Sequence, residues 1–294
     1  MILVTAANGR TGRSVVRSLA HRGQSVRAFD IASDVEQLLD QGAAQAVVGD
    51  LLDPRDLRRA MDGAQSVVHI GPPMHPREAE MGHGVVTAAR EAGVEHFVQF
   101  SVTHPQLEAL LNHQAKLAVE RVVLTSRMPF TILQPMHYMQ NVDVPRVIED
   151  RVLRQPYSLD TRLAHVDLDD VAEVAATVVV DAQHHRYATY ELCGDAFCNA
   201  HELAEVISAQ SGRSVTAEQV AFPADTTAGA RPSEVEDYRL DAMHRLFDHY
   251  GRYGITGNPN VLGWLLGRPP TSFEAYVRRA LAAGDPAAEP TEAS

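Results

Sequence analysis

Short β-branched runs alternate with longer amphipathic stretches through the first half of this chain, and that alternation constrains its fold more than any other feature. Ile2–Thr5, Ser25–Asp30, Ala46–Asp50, Ser66–Ile70, His96–Ser101 and Phe130–Gln134 read as strands. Between them Gly12–Arg22, Pro54–Met61, His83–Ala92 and Gln106–Ser126 read as helices. Strands this apolar, joined by helices, belong in a parallel sheet covered on both faces, so the predicted class is α/β with a doubly wound parallel sheet.

Past Pro135 the rhythm loosens. A helix at Asp169–Asp181 and a strand at Ala188–Cys193 follow, and from Asn199 the chain reads as mainly helical with one strand at Ser214–Val220. The expected organisation is a doubly wound sheet domain over residues 1–190, with 136–162 contributing to the side that faces the C-terminal segment. A smaller, mostly helical substrate or lid domain over 191–283 would cover the carboxyl ends of the sheet, and 284–294, rich in Ala, Pro and Glu, reads as a disordered tail.

Composition narrows the function. A net charge of -12 argues against a nucleic-acid backbone or an anionic membrane as partner and leaves a small-molecule substrate. Two cysteines, Cys193 and Cys198, are too few for a disulfide framework or a zinc site and read as reduced thiols. The start of the chain does not read as a signal peptide, and no apolar stretch approaches the ~20 residues of a membrane helix, so a cytoplasmic protein is expected.

Directly after the first strand comes Thr5-Ala6-Ala7-Asn8-Gly9-Arg10-Thr11-Gly12, opening a helix. Gly9 lets backbone approach a pyrophosphate and Gly12 lets the helix pack on the strand, while the helix N-terminus offers unpaired N–H groups to phosphate. Ala6 stands where the first glycine of such a loop is expected. The loop predicts a Rossmann-type site in which Ala7, Asn8, Gly9, Arg10, Thr11 and Gly12 line the dinucleotide. Asp30, at the end of the second strand, is placed to accept hydrogen bonds from the adenosine ribose and to repel a 2′-phosphate, which favours NAD; a helix cap is the competing reading. NADP remains the alternative cofactor through Arg10 or Arg27. Gly49-Asp50-Leu51 and Ile70-Gly71-Pro72-Pro73 close the next two strands, where Asp50 and Leu51 would meet the adenine and Ile70, Gly71 and Pro72 would flank the adenosine and diphosphate.

This succession of motifs resembles the NmrA-like family, a branch of the atypical short-chain dehydrogenases. The resemblance covers about residues 1–200 and rests on Ala6 to Gly12, Gly49-Asp50-Leu51, Glu91-Ala92-Gly93-Val94 with His96-Phe97-Val98, and Phe100-Ser101-Val102. Further on it includes Phe130-Thr131-Ile132-Leu133-Gln134-Pro135, Asn141, Val166-Asp167 and Asp170-Val171-Ala172. It implies a doubly wound sheet, a small C-terminal substrate domain and nicotinamide binding. It does not imply one reaction, since some members reduce quinones, dyes or enone-like substrates and others bind the dinucleotide as regulators. The related dehydrogenases carry Tyr-x-x-x-Lys on the helix after the fifth strand; here the run is Asn112-His113-Gln114-Ala115-Lys116, with the lysine and without the tyrosine. The resemblance makes Ser101 the serine that polarises a carbonyl, and in the isoflavone-reductase-like branch the lysine alone serves as acid or base.

An independent argument concerns Lys116. Of 26 basic residues it is the only lysine. Where charge alone suffices arginine serves, whereas a compact, tunable ammonium is needed to hold a ribose or move a proton. The bland alternative is a surface lysine on an amphipathic helix.

Weaker signals complete the set. His113 is a candidate proton donor near neutral pH. Pro135 would touch the cofactor, and Thr103, His137, Tyr138 and Asn141 would line a substrate pocket beside Met136 and Met139, with helix core as the equal alternative for the run Met136 to Asn141. His69, His75 and His83 are not spaced as metal ligands, His184-His185 reads as a solvated loop, and no metal is assigned. Phe247, Tyr250, Tyr253, Trp264 and Phe273 read as small-domain core or interface. The resulting expectation is an NAD(P)-dependent oxidoreductase acting on a small apolar carbonyl, enone or quinone-like substrate. Its rivals are a non-catalytic dinucleotide sensor and non-redox chemistry on a retained dinucleotide fold.

Overall fold

The computed structural model of the protein describes residues 1–222 and 233–284. The expected disordered tail therefore lies, from residue 285, outside the described residues. The first half alternates as read: β1 (Ile2–Thr5), α1 (Arg10–His21), β2 (Val26–Asp30), β3 (Gln45–Val48), α2 (Pro54–Met61) and β4 (Ser66–His69). It continues through α3 (Glu78–Glu91), β5 (His96–Phe100), α4 (Leu111–Thr125) and β6 (Phe130–Pro135). The second half holds β7 (His137–Tyr138), α5 (Val144–Asp150), β8 (Val152–Gln155), β9 (Leu163–Val166), α6 (Leu168–Val180), α7 (Ala182–His185) and β10 (Ala188–Leu192). It closes with β11 (Ala196–Cys198), α8 (Ala200–Ser211), β12 (Thr216–Gln219), α9 (Glu234–Tyr253), α10 (Asn260–Leu266) and α11 (Phe273–Gly284).

Seven parallel strands form the main sheet in the order β3-β2-β1-β4-β5-β6-β10. β1 is buried along its whole length and pairs on both sides, Val4 opposite Ala28 of β2 and Val68 of β4. The order of strands reverses between β1 and β4, and a crevice outside the carboxyl ends at such a point is where open α/β sheets bind ligands. Both faces are covered. One core packs Val4, Val15, Leu19, Val98, Leu133 and Val174. The other packs Leu3, Phe29, Leu57, Val85, Phe97 and Ile132.

A third core joins separated segments, with Met139, Val144 and Leu153 packing beside Leu203, Ile207, Phe273 and Val277. Around it run a three-stranded sheet, β11-β9-β7, and a two-stranded parallel pair, β12-β8. β10 completes the main sheet, which therefore extends past residue 190 to Leu192. Two buried carboxylates fasten the C-terminal segment to the sheet edge. Asp170 accepts from Arg268, from the Thr271 hydroxyl (2.8 Å) and from the Thr271 amide (2.6 Å), and Asp167 accepts from Arg279 (2.6 Å) and Gln140 (2.7 Å).

Several boundaries differ from the sequence reading for identifiable reasons. α3 begins at Glu78 rather than His83, because Gly82 and Gly84 do not break the helix: a Cβ on Gly82 would lie 2.4 Å from Val119 of α4, so the glycine is what lets the two helices touch. α4 begins at Leu111 rather than Gln106, after a turn in which His104 takes a left-handed φ of 55° ahead of Pro105. His184-His185 ends the short helix α7 rather than lying in a loop. Of the aromatic cluster, Tyr250 and Phe273 are core and Tyr157 stacks on Phe247, whereas Tyr253 and Trp264 are 71% and 77% exposed. Both cysteines are free thiols.

Burial pushes His69 and His137 down to about 3, and His96, His113 and His165 to about 4. Each is neutral in the fold but takes a proton near pH 6.5 once unfolded. The unfolded state therefore binds more protons as pH falls, and the stability present above pH 6.5 is lost on acidification toward pH 4. Thermal denaturation from pH 7 to pH 5 should show a steadily falling Tm. In His96→Gln the slope should flatten by up to about 1.4 kcal/mol per pH unit. A Tm insensitive to this range would contradict the buried neutral state.

Candidate functional site

The loop between β1 and α1 closes tightly. Ala6 takes a left-handed φ of 45°, the backbone state glycine normally supplies at this position. The Ala7 amide donates to the Phe29 carbonyl (3.1 Å), and the Asn8 amide donates to Asp30 Oδ2 (2.9 Å). A Cβ on Gly12 would sit 2.4 Å from the Ala6 carbonyl and 2.6 Å from Ala7 Cα, both immovable backbone. On Gly9 it would meet only the Ala6 carbonyl at 3.4 Å, ordinary contact, so packing within the chain does not explain that glycine. α1 has no side-chain cap and no acidic residue in its first turn. Its leading N–H groups and positive dipole end are thus left for an anion.

Around this loop the other strand ends carry the expected residues. Asp30 is half-buried, and its Oδ1 also accepts from the Ala32 amide (3.1 Å), so it holds the loop as well as presenting negative charge at the end of β2. Arg27, a candidate for a 2′-phosphate, is spent elsewhere: it donates to the Ala60 and Asp62 carbonyls (2.7 and 2.6 Å) and to Gln45 (2.7 Å). Arg10 reaches the Gln140 carbonyl. Asp50 turns back on its own loop, accepting from the Leu52 amide (2.8 Å), with Leu51 half-buried beside it. Thr5 Oγ1 bridges His69 Nδ1 (2.8 Å) and the Ile70 backbone, tying the end of β1 to the end of β4, where Gly71 is buried and Pro72 half-buried.

Lys116 is not a surface lysine. Its side chain is 13% exposed and its Nζ lies 2.7 Å from Oε1 of Glu78, which is 2% exposed. Glu78 was not singled out by sequence, because its place depends on α3 starting a turn earlier than the glycines suggested. Ser101, just past β5, has a buried Oγ with no hydrogen bond among the described residues, and so has Asn112 Oδ1. Asn112 precedes Lys116 by four residues and shares its helix face. It occupies the position of the absent tyrosine, and spacing alone could have flagged it. Buried polar atoms left unsatisfied cost about 1–3 kcal/mol each, and Ser101 and Asn112 both follow the carboxyl end of β5, where a ligand could complete them.

His113 does not fit a proton donor near neutral pH. It is buried, its Nδ1 donates to the His104 carbonyl (2.9 Å), and burial holds its pKa at about 4, so it is a neutral tie between α4 and the preceding turn. Thr103 is fully buried with its hydroxyl donating to the Gln134 carbonyl (2.7 Å), which leaves it no hydroxyl proton for substrate. The Pro135 carbonyl is likewise taken by the Thr103 amide (3.1 Å). His137 and Tyr138 are half-buried. His137 lies edge-on to His165 (ring centroids 5.3 Å apart) and Tyr250 (5.7 Å), and it accepts from the exposed Asn141 (3.2 Å). Burial pushes the Tyr138 hydroxyl up to about 12, against an opposing pull from Thr11 of the glycine loop and from Arg10. Among the described residues no group of three His, Cys, Asp or Glu side chains is placed to hold a metal, and no helix is long and apolar enough to cross a membrane.

A glycine-lined loop leading into an uncapped helix, set where the strand order reverses, defines an α/β protein of the Rossmann type. More narrowly, the chain belongs to the NmrA-like family, whose family model matches residues 1–277. It is 28% identical over 291 residues to an NAD(P)H azoreductase of Xenophilus azovorans, covering 96% of this chain and 99% of that protein. The fold is shared with the NADPH-dependent quinone oxidoreductase of Escherichia coli complexed with NADPH (TM-score 0.79, 24% identity, 96% of this chain and 100% of that one). It is also shared with NmrA, a negative transcriptional regulator, in complex with NAD (TM-score 0.75, 19% identity, 96% and 97%).

The two loop glycines should separate folding from binding. Gly12→Ala should destabilise the protein by about 3 kcal/mol or more, since only backbone could yield. Gly9→Ala should leave the Tm nearly unchanged yet weaken dinucleotide binding at least about tenfold, because its Cβ points at no chain atom that must move. Thermal denaturation and calorimetry on both variants test this, and equal loss of Tm in the two would remove the ligand-facing role of Gly9.

Proposed function

We propose that the protein is an NAD(P)-dependent oxidoreductase that transfers hydride to a small, largely apolar carbonyl, enone or quinone-like substrate. The observation that carries this reading is the buried Lys116–Glu78 pair, which lies at the sheet edge where the unpartnered Ser101 Oγ and Asn112 Oδ1 are also found. Full-length similarity to an NAD(P)H azoreductase supports the redox class. The bound dinucleotide supplies the hydride. The loop from Ala7 to Gly12 would hold the diphosphate, and Asp30, Asp50, Leu51, Ile70, Gly71 and Pro72 would seat the adenosine half. Lys116 would donate to the nicotinamide ribose and deliver the proton that the substrate oxygen takes up as hydride adds, and Ser101 Oγ would donate to that oxygen while negative charge develops on it. Half-buried Met74, Leu107, Tyr138 and Tyr157 offer an apolar wall to the substrate and help exclude water.

The preferred cofactor on this reading is NAD. Asp30 places a carboxylate at the end of β2, and Arg27, turned to the carbonyls of Ala60 and Asp62, is not available to a 2′-phosphate. Calorimetry should give tighter binding of NADH than of NADPH. Asp30→Asn, which keeps an acceptor for the Asn8 amide but removes the charge, should narrow the gap by roughly tenfold, since a phosphate and a carboxylate a few ångström apart repel by about 1 kcal/mol or more even when well screened. A wild type that prefers NADPH, with the preference unmoved by Asp30→Asn, refutes the assignment.

A dinucleotide-sensing protein without turnover is the second reading, and Asn112 favours it: an amide at the tyrosine position has no proton to relay. Lys116→Arg separates the two. A guanidinium is larger and planar and loses the compact donor and tunable pKa. In an enzyme the change should cut NADH-dependent reduction of a simple quinone or azo dye by at least ~10²-fold, the low end for a lost acid–base group. In a sensor only the dinucleotide affinity falls. Wild-type binding together with wild-type turnover would take Lys116 out of the site.

A further inference from the structure

Glu78 is buried to 2% exposure beside the chain's single lysine, with Oε1 2.7 Å from Lys116 Nζ. Desolvating such a pair is costly unless the remaining lone pairs of the carboxylate find donors. An ionised carboxylate has about four acceptor sites, and one ammonium occupies only one of them. Yet neither Glu78 oxygen accepts a well-formed hydrogen bond among the described residues. The neighbouring His69 offers no compensating charge, since burial and the field of Lys116 hold it neutral.

The pair also lies where the fold would present it to a ligand. A Cβ on Gly71 would be 3.2 Å from Glu78 Oε1 and 3.4 Å from Lys116 Nζ, so both groups press against the backbone that follows β4. β4 is one of the two strands that flank the reversal of strand order. Between them the two side chains present one donor and one strong acceptor that looks for hydroxyl protons. A free phosphate or carboxylate would be repelled by Glu78, and an apolar ring would leave the carboxylate unsatisfied. A sugar diol suits both, because each hydroxyl can accept from the ammonium and donate to the carboxylate.

We propose that Glu78 is a positioning residue and ribose acceptor: it holds Lys116 Nζ beneath Gly71, and it takes the O–H of the nicotinamide ribose while Lys116 donates to the same diol. This assignment rests on the dinucleotide reading above and adds to it a recognition residue outside the glycine loop and the lysine motif. It also gives a reason for a lysine at this position in a chain otherwise furnished with arginine, since an ammonium is the more compact donor.

The test compares NADH with ADP, which has the adenosine ribose and lacks the nicotinamide ribose. Calorimetry on wild type and Glu78→Gln should show NADH weakened at least about tenfold, as for a lost hydrogen bond to a charged group, with ADP affinity within about twofold of wild type. If Glu78→Gln does not fold, Glu78→Asp, which keeps the charge and withdraws it by one methylene, is measured in its place and must show the same split. Wild-type NADH affinity in the variant overturns the proposal. Equal weakening of NADH and ADP also overturns it, because the pair would then be a structural strut. A wild type that binds neither ligand fails differently, by removing the dinucleotide reading on which the proposal stands.

Discussion

The carboxyl edge of the sheet depends on how closely α1 approaches the end of β1. Gly12 permits that approach because it presents no Cβ to the Ala6 carbonyl, 2.4 Å from where one would be. The loop between them then has little freedom. Ala6 accepts a left-handed backbone, the Asn8 amide is caught by Asp30, and Arg13 closes on the carbonyl and side chain of Asn8. Once the loop is set, Thr5 ties it across to Ile70, which holds the ends of β1 and β4 side by side where the strand order reverses.

Interior carboxylates organise the rest of that edge. In a chain of net charge -12, Asp167 and Asp170 are buried and each is matched by an arginine from the C-terminal segment, which brings α11 and the turn before it down onto α6. Glu120 is matched by Gln134 across α4 and β6 (2.8 Å). The two aspartates are each matched by arginine and a further donor, which is how buried charge is tolerated in a structural role. Glu78 differs from them in being left with unsatisfied oxygens, against the backbone that follows β4.

Much of this was legible in the sequence because its physical basis is local. β1, β2, β4, β5 and β6 fall within a residue or two of their expected limits, since fully buried parallel strands are continuous apolar runs that periodicity detects. The glycine loop was legible for the same reason, as a few adjacent residues with one geometric need. The two-residue β7 and the three-residue β11 were not, being too short for any period to appear. His113 and Arg27 illustrate a different limit. Their chemistry depends on what lies beside them, a carbonyl at His104 in one case and those of Ala60 and Asp62 in the other, and composition says nothing of either.

Sequence by itself determined the parallel α/β sheet, the glycine turn between β1 and α1 and the identity of Lys116 as the one lysine, because each follows from residue type and spacing along a single segment. Only the tertiary structure decided what that lysine faces. Glu78 lies thirty-eight residues before it on another helix, and the two meet because Gly82 lets α3 pack against Val119 of α4 while Gly71 leaves room at the end of β4. Contacts between helices are set by the shapes of both surfaces at once, and no window along one of them contains that information.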